Sequence, residues 1–247
     1  VPSWVWRGVR GLPARGTSRY CRVSMTASRT GRHSRERRVP VAPVAPVVPM
    51  ARATRALCAF AAAMARRRNE LAATALASAR AAGAPRRAAE ETALMLMLYA
   101  GYPGALEALR VLHASWPGRA ARTREGSRER WRARGESLCR RVYGPAYGKL
   151  IPAVRALHPD LAVWMVEQGY GRVLGRRGLG ALERELITVA ALAGLGWERQ
   201  LVSHVLGALR LGAGEAATHA ALVEGARLAD ARSRLASAES FRSRAIG

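Results

Sequence analysis

The chain has one lysine. Of its 41 basic residues all but Lys149 are Arg, against 17 acidic residues, for a formal charge of +24 over 247 residues. Such a charge points first to nucleic acid. A surface selected to hold a polyanion ordinarily mixes Lys with Arg, however. Near-total use of Arg, with Ala and Gly in excess, has the look of a GC-rich coding sequence. A nucleic-acid role is therefore not expected despite the charge. Phe is also scarce, with two residues, and runs of β-branched residues are few. That argues against a β-sandwich and for close-packed helices. The three cysteines, Cys21, Cys58 and Cys139, are isolated. Without a C-x-x-C pair or a Cys/His cluster at zinc spacing, neither a disulfide framework nor a bound metal is expected, and a reducing cytoplasm is the default. No cofactor motif is present. Long apolar runs are missing too. The longest uncharged one in the ordered part, Thr92 to Leu106, is interrupted by Gly101, Pro103 and Gly104 and is too short to span a bilayer.

What is present divides unevenly. Residues 1–49 carry ten Arg, one acidic residue (Glu36) and the tract VPVAPVAPVVP, with no helical period. They read as a disordered or polyproline extension. Their composition superficially fits a transit peptide, but no uninterrupted apolar region follows. Met50 stands directly before the first helical pattern, so the functional chain is expected to begin near it.

From Met50 the pattern is helical nearly throughout. The periodicity predicts helices over 52–66, 69–82, 86–100, 103–114, 126–142, 145–157, 160–174, 180–194, 197–211 and 215–230. They are separated by Gly and Pro clusters of the kind that stop one helix and start the next. The most charged stretch, GRAARTREGSRERWRAR, reads as an exposed linker over 117–134. An internal repeat is visible at an offset of 129 residues: RATRALCAFAAAMARRRNELAATALASARAAGAP aligns without gaps on GALERELITVAALAGLGWERQLVSHVLGALRLGAG. Arg55 meets Arg184, Leu57 meets Leu186, and Gly83-Ala84 meets Gly212-Ala213. The expected organisation is all-α: the extension 1–49, a first helical repeat over 50–116, the linker 117–134, and a second domain over 135–247.

Two ionisable residues break the apolar pattern of the second copy. In ELITVAALAGLGWERQLVSHVLGALRLGA, Glu185 lies about ten residues before the Gly194–Gly196 bend and His204 about nine after it. At roughly 1.5 Å per residue they reach nearly the same level on two antiparallel helices. The first copy has Ala56 and Ala75 at these positions. A carboxylate and an imidazole brought together in an apolar cleft form a proton-transfer pair, the carboxylate fixing the ring tautomer. The same pair can instead be a buried hydrogen bond that serves structure. Tyr99, Tyr102 and Tyr170 can line such a cleft, or simply fill core.

This stretch resembles the carboxymuconolactone decarboxylase and alkylhydroperoxidase D superfamily. The peroxidase branch carries Glu-x11-Cys-x2-Cys-x3-His on a helix hairpin, and the same spacing here holds Glu185, Trp197, Gln200 and His204. YAGYPGALEALRVL (99–112) resembles the end of a first family domain, ESLCRRVYGPAYGKLIPAVRALHPDLAVWMVEQGYGRVLGRRGL (136–179) the lead-in to a second. The resemblance covers roughly residues 52–230. It implies an all-α fold of two duplicated domains of the alkylhydroperoxidase D-like type and a homo-oligomer. Both cysteine positions are changed, which removes the thiols that peroxidase chemistry needs. The decarboxylase branch needs none. There the resemblance implies acid–base chemistry, decarboxylation or isomerisation, on a small carboxylated molecule. His204 would be the proton donor and Glu185 its partner. Arg199 and Arg184 are candidate anion holders. Trp197 and Gln200, in the cysteine positions, are candidate substrate contacts; a Trp197 that filled the cleft would instead mark a retired site. The alternatives are a peroxiredoxin-like protein that has lost its C-x-x-C thiols, and a non-catalytic oligomeric interaction protein.

Overall fold

The computed structural model describes residues 50–120 and 126–228. The expected disordered extension 1–49 lies outside them, as does part of the expected linker. Among the described residues every regular element is helical. In chain order they are α1 (Arg52–Ala65), α2 (Asn69–Ala81), α3 (Arg86–Met95), α4 (Met97–Ser115), α5 (Arg128–Tyr143), α6 (Tyr147–Leu157), α7 (Pro159–Trp164), a π-helix (Met165–Leu174), α8 (Ala181–Leu195), α9 (Glu198–Arg210) and α10 (Glu215–Ala226). No helix among them is long and apolar enough to cross a membrane.

The element boundaries follow the expected punctuation with three differences. Helix α3 ends at Met95, before the Gly-Pro cluster, and the next helix runs through that cluster with a break at Gly101 (φ 73°, ψ 179°). The region expected as one helix over 160–174 is α7 followed by ten residues of wider π-helix, a form common near functional sites. Helix α5 begins at Arg128, inside the expected linker, capped by the Ser127 hydroxyl, which accepts from the Arg130 N–H.

Helix α8 lies at the centre. Its residues from Arg184 to Gly194 are all buried, and α1, α9 and α10 pack around it. The core is one continuous apolar cluster that takes side chains from both copies of the repeat, from Ala56 to Leu222. Most of it is Ala, so the helices can approach closely. The closest approach joins α5 to the π-helix. A Cβ on Gly135 would lie 2.0 Å from the Val166 carbonyl oxygen, and one on Gly171 would lie 2.1 Å from that of Trp131. Only glycine fits either position.

The repeat is visible in the backbone. The helix starts Arg52, Asn69 and Arg86 recur at Ala181, Glu198 and Glu215, each 129 residues on. Each first helix ends in a left-handed residue, Arg67 (φ 56°) in one copy and Gly196 (φ 73°) in the other, again 129 apart. Arg67 is the one non-glycine described residue with positive φ, a conformation that costs about 1–2 kcal/mol in an L-residue. Its presence where the second copy has Gly shows how firmly the hairpin geometry is imposed. The copies also cross-brace each other. Arg55 of α1 pairs with Glu224 of α10 at 2.7 Å, and Arg184 of α8 pairs with Glu91 of α3 at 3.0 Å.

Candidate active site

The α8–α9 hairpin brings Glu185 and His204 together. Three features fix the geometry. The Glu183 carboxylate accepts the Gly180 N–H at 2.8 Å and so anchors the start of α8. Gly196 turns the chain, with its N–H on the Ala193 carbonyl and that of Trp197 on the Leu192 carbonyl. Gly207, one turn after His204, leaves room for the carboxylate: a Cβ there would sit 2.6 Å from Glu185 Oε2 and 2.7 Å from Val142 Cγ1.

His204 Nδ1 stands 2.8 Å from Glu185 Oε2, and both residues are buried. With Nδ1 directed at the carboxylate, Nε2 is the nitrogen left for exchange. It has no hydrogen-bond partner among the described residues, and the side chain keeps 10% of its surface exposed. The Tyr99 ring meets the imidazole edge-on, with centroids 6.3 Å apart, and its hydroxyl pairs with Thr188 Oγ1 at 2.8 Å. Beyond Glu185 lie Tyr143 and Tyr170, whose hydroxyls are 2.7 Å apart. Burial raises all three phenols far above their ordinary range, and the Glu185 charge raises them further. These hydroxyls therefore remain protonated and act as neutral hydrogen-bonding groups.

Other expected residues stand elsewhere. Trp197 is 58% exposed, and Arg199 and Gln200 are exposed beside it at the start of α9. Trp197 does not fill the space around His204. Arg184 is buried, on the neighbouring stripe of α8. Tyr102 is exposed past the α4 break, whereas Tyr99 and Tyr170 face the pair's surroundings. Cys139 is also near: burial and the Glu185 and Glu136 charges push its thiol up to about 12. The Cys58 thiol is pushed up too, by burial first and then by Glu224. Among the described residues no group of three or more His, Cys, Asp or Glu side chains is placed to hold a metal ion.

Sequence reasoning passed over Gly207, Thr188, Val142 and Tyr143. Thr188 carried a signal, being a polar residue one turn from Glu185 in an apolar run. Gly207 carried one as well, a helix-interior glycine one turn from His204. Val142 and Tyr143 lie on α5, distant in sequence, and had none.

No protein family and no curated protein matches the chain.

Proposed function

We propose that this chain is a duplicated member of the carboxymuconolactone decarboxylase and alkylhydroperoxidase D-like superfamily, working by acid–base chemistry as a small-molecule lyase or isomerase. The family reading rests on the spacing of Glu185 and His204 and on the repeat at 129 residues. The observation that carries the chemistry is the 2.8 Å contact from Glu185 to His204 Nδ1, which leaves Nε2 unpaired. A carboxylate on one ring nitrogen fixes the tautomer and orientation of the other.

In a decarboxylation, the bond from carbon to the leaving carboxylate breaks and carbon dioxide departs. The electron pair remains on the substrate carbon as an enolate-type anion, and the imidazolium Nε2–H delivers the proton there. In an isomerisation, neutral Nε2 removes a proton from one carbon and returns it to another. Both are redox-neutral, and in both Glu185 stays ionised against Nδ1–H. Thiol peroxidase chemistry is disfavoured because Cys58 and Cys139 are buried with raised pKa, and no thiol stands at Trp197 or Gln200.

The test is a screen of small unsaturated lactones and carboxylated rings with the wild type and His204→Gln. Turnover by the wild type that the variant loses while remaining folded supports the reading. Equal turnover by both overturns it. A second reading, a non-catalytic oligomeric protein, draws on the exposure of Leu157, Leu161 and Trp164 along α6 and α7. It predicts self-association that Leu157→Glu disrupts, with no turnover in the screen.

A further inference from the structure

Arg184 is the largest fully buried side chain among the described residues, at 1% exposure. Its Nη2 donates to Glu91 Oε2 at 3.0 Å and to the Arg176 carbonyl at 2.9 Å. Its Nε and Nη1 meet no acceptor. A guanidinium has five N–H donors. With both on Nη2 used, the one on Nε and the two on Nη1 remain unpaired. The Glu91 carboxylate is moreover shared, since Arg176 Nε lies 3.2 and 3.0 Å from its two oxygens. Two guanidiniums therefore face one carboxylate in the interior. Buried donors without acceptors are rare in folded proteins, and an uncompensated buried charge is costlier still. A group that brings acceptor oxygens and negative charge relieves both.

The position of Arg184 connects it to the Glu–His pair. It immediately precedes Glu185 and lies one turn before Thr188 on the same stripe of α8. The Thr188 hydroxyl holds Tyr99, the Arg184 charge acts on that phenol, and the Tyr99 ring meets His204. One polar strip thus runs from Arg184 past Thr188 and Tyr99 to Glu185 and His204. Tyr99 is half-buried, two residues before the break at Gly101.

We propose that Arg184 is the anion anchor of the Glu185–His204 site, its Nε and Nη1 taking the carboxylate of the substrate so that the reacting carbon lies toward His204. This rests on the proton-transfer reading above and narrows its substrates to acids whose carboxylate stands a few bonds from the reacting carbon. Both nitrogens are sealed from solvent. Tyr99 therefore moves aside as the anion enters, with the Gly101 break as the hinge. A free inorganic anion shares the required chemistry, and the two sources are separated by what happens at His204.

The test is calorimetric titration of the full chain with sodium benzoate at fixed ionic strength, alongside NMR of the histidine Cε1–H resonances, His204 being assigned with His204→Gln. A parallel titration uses inorganic phosphate. The expected result is benzoate binding that shifts the His204 resonance, persists in His204→Gln and weakens at least tenfold in Arg184→Lys. That variant keeps a cation for Glu91 and loses the unpaired donors. If it does not fold, Glu91→Gln with Arg184→Gln removes one charge of each sign and is expected to show the same loss. Equal benzoate affinity in wild type and variant overturns the proposal. So does failure of benzoate to bind, or binding of benzoate or phosphate that leaves the His204 resonance unmoved. Turnover surviving in His204→Gln would overturn the proton-transfer reading and leave these binding results standing.

Discussion

His204 Nδ1 and Glu185 Oε2 meet at 2.8 Å across a hairpin that separates them by nineteen residues in sequence. Each approaches from its own helix, and the space for the contact is made by a third position, Gly207. The arrangement puts two ionisable groups into a core otherwise built from Ala, Leu and Val.

Removing one member of the pair should cost more than removing both. His204→Ala leaves a buried carboxylate without its partner, a change that typically costs about 3–5 kcal/mol. Replacing both with apolar residues of similar volume, Glu185→Met with His204→Leu, should bring stability back to within about 1 kcal/mol of the wild type. Urea denaturation of the two variants checks this. A double variant as unstable as the single one would mean that the pair is held for stability and not for chemistry.

Gly207→Ala should separate the pair without touching either member. The added Cβ, 2.6 Å from Glu185 Oε2 and 2.7 Å from Val142 Cγ1, must push the carboxylate away or drive α5 outward. Overpacking of this kind costs about 1–3 kcal/mol. The expected outcome is a loss of stability in that range together with a changed His204 NMR titration. An unaltered titration would show that the hairpin absorbs the methyl group elsewhere.

The tyrosine hydroxyls give a coupling measurement. Tyr143→Phe and Tyr170→Phe each leave the other hydroxyl buried without its 2.7 Å partner, at about 1–2 kcal/mol apiece. The double variant loses both groups together and should cost clearly less than the sum. Strict additivity in a double-mutant cycle would contradict the contact.

Stability should fall on the alkaline side. In the unfolded chain thiols lose their protons from about pH 8.5 and phenols from about pH 10. In the folded state Cys139 holds its proton to about 12, and Cys58, Tyr99, Tyr143 and Tyr170 are also raised. Across that window the folded state binds more protons than the unfolded one, so stability declines as pH rises. It is fully present below about pH 8.5. Urea midpoints at pH 8, 9.5 and 10.5 should drop in that order, and Cys58 and Cys139 should resist alkylation at pH 8 until the protein unfolds. A flat profile would mean that these groups ionise as freely folded as unfolded.

Much of this was legible in the sequence for a physical reason. Helix period and Gly-Pro punctuation are local, and they located α1, α2, α8 and α9 to within a residue or two. The height argument that put Glu185 level with His204 needed only the rise of a helix and a known bend. What failed was non-local or depended on phase. The π-helix over Met165–Leu174 is set by the Gly135–Gly171 crossing with α5, which no local pattern reports. Trp197, Arg199 and Gln200 follow the turn directly, and helix phase points them outward although they lie within the motif spacing. Arg184 read as an ordinary helix Arg until Glu91, 93 residues earlier, closed on it. The Ala-rich repeat looked weak by identity, yet its backbone recurs down to the left-handed residue at Arg67 and Gly196.

The central claim is that Glu185 and His204 move protons on a small acid. The most direct measurement is solvent-deuterium incorporation into a library of small unsaturated and carboxylated compounds, followed by NMR with wild type, Glu185→Gln and His204→Gln. The account predicts that the wild type labels at least one compound at carbon. It predicts that His204→Gln loses this by about 100-fold or more, as expected for a general acid–base group, and that Glu185→Gln is slowed while folded. Labelling that proceeds equally in all three proteins, or in none of them, would contradict it.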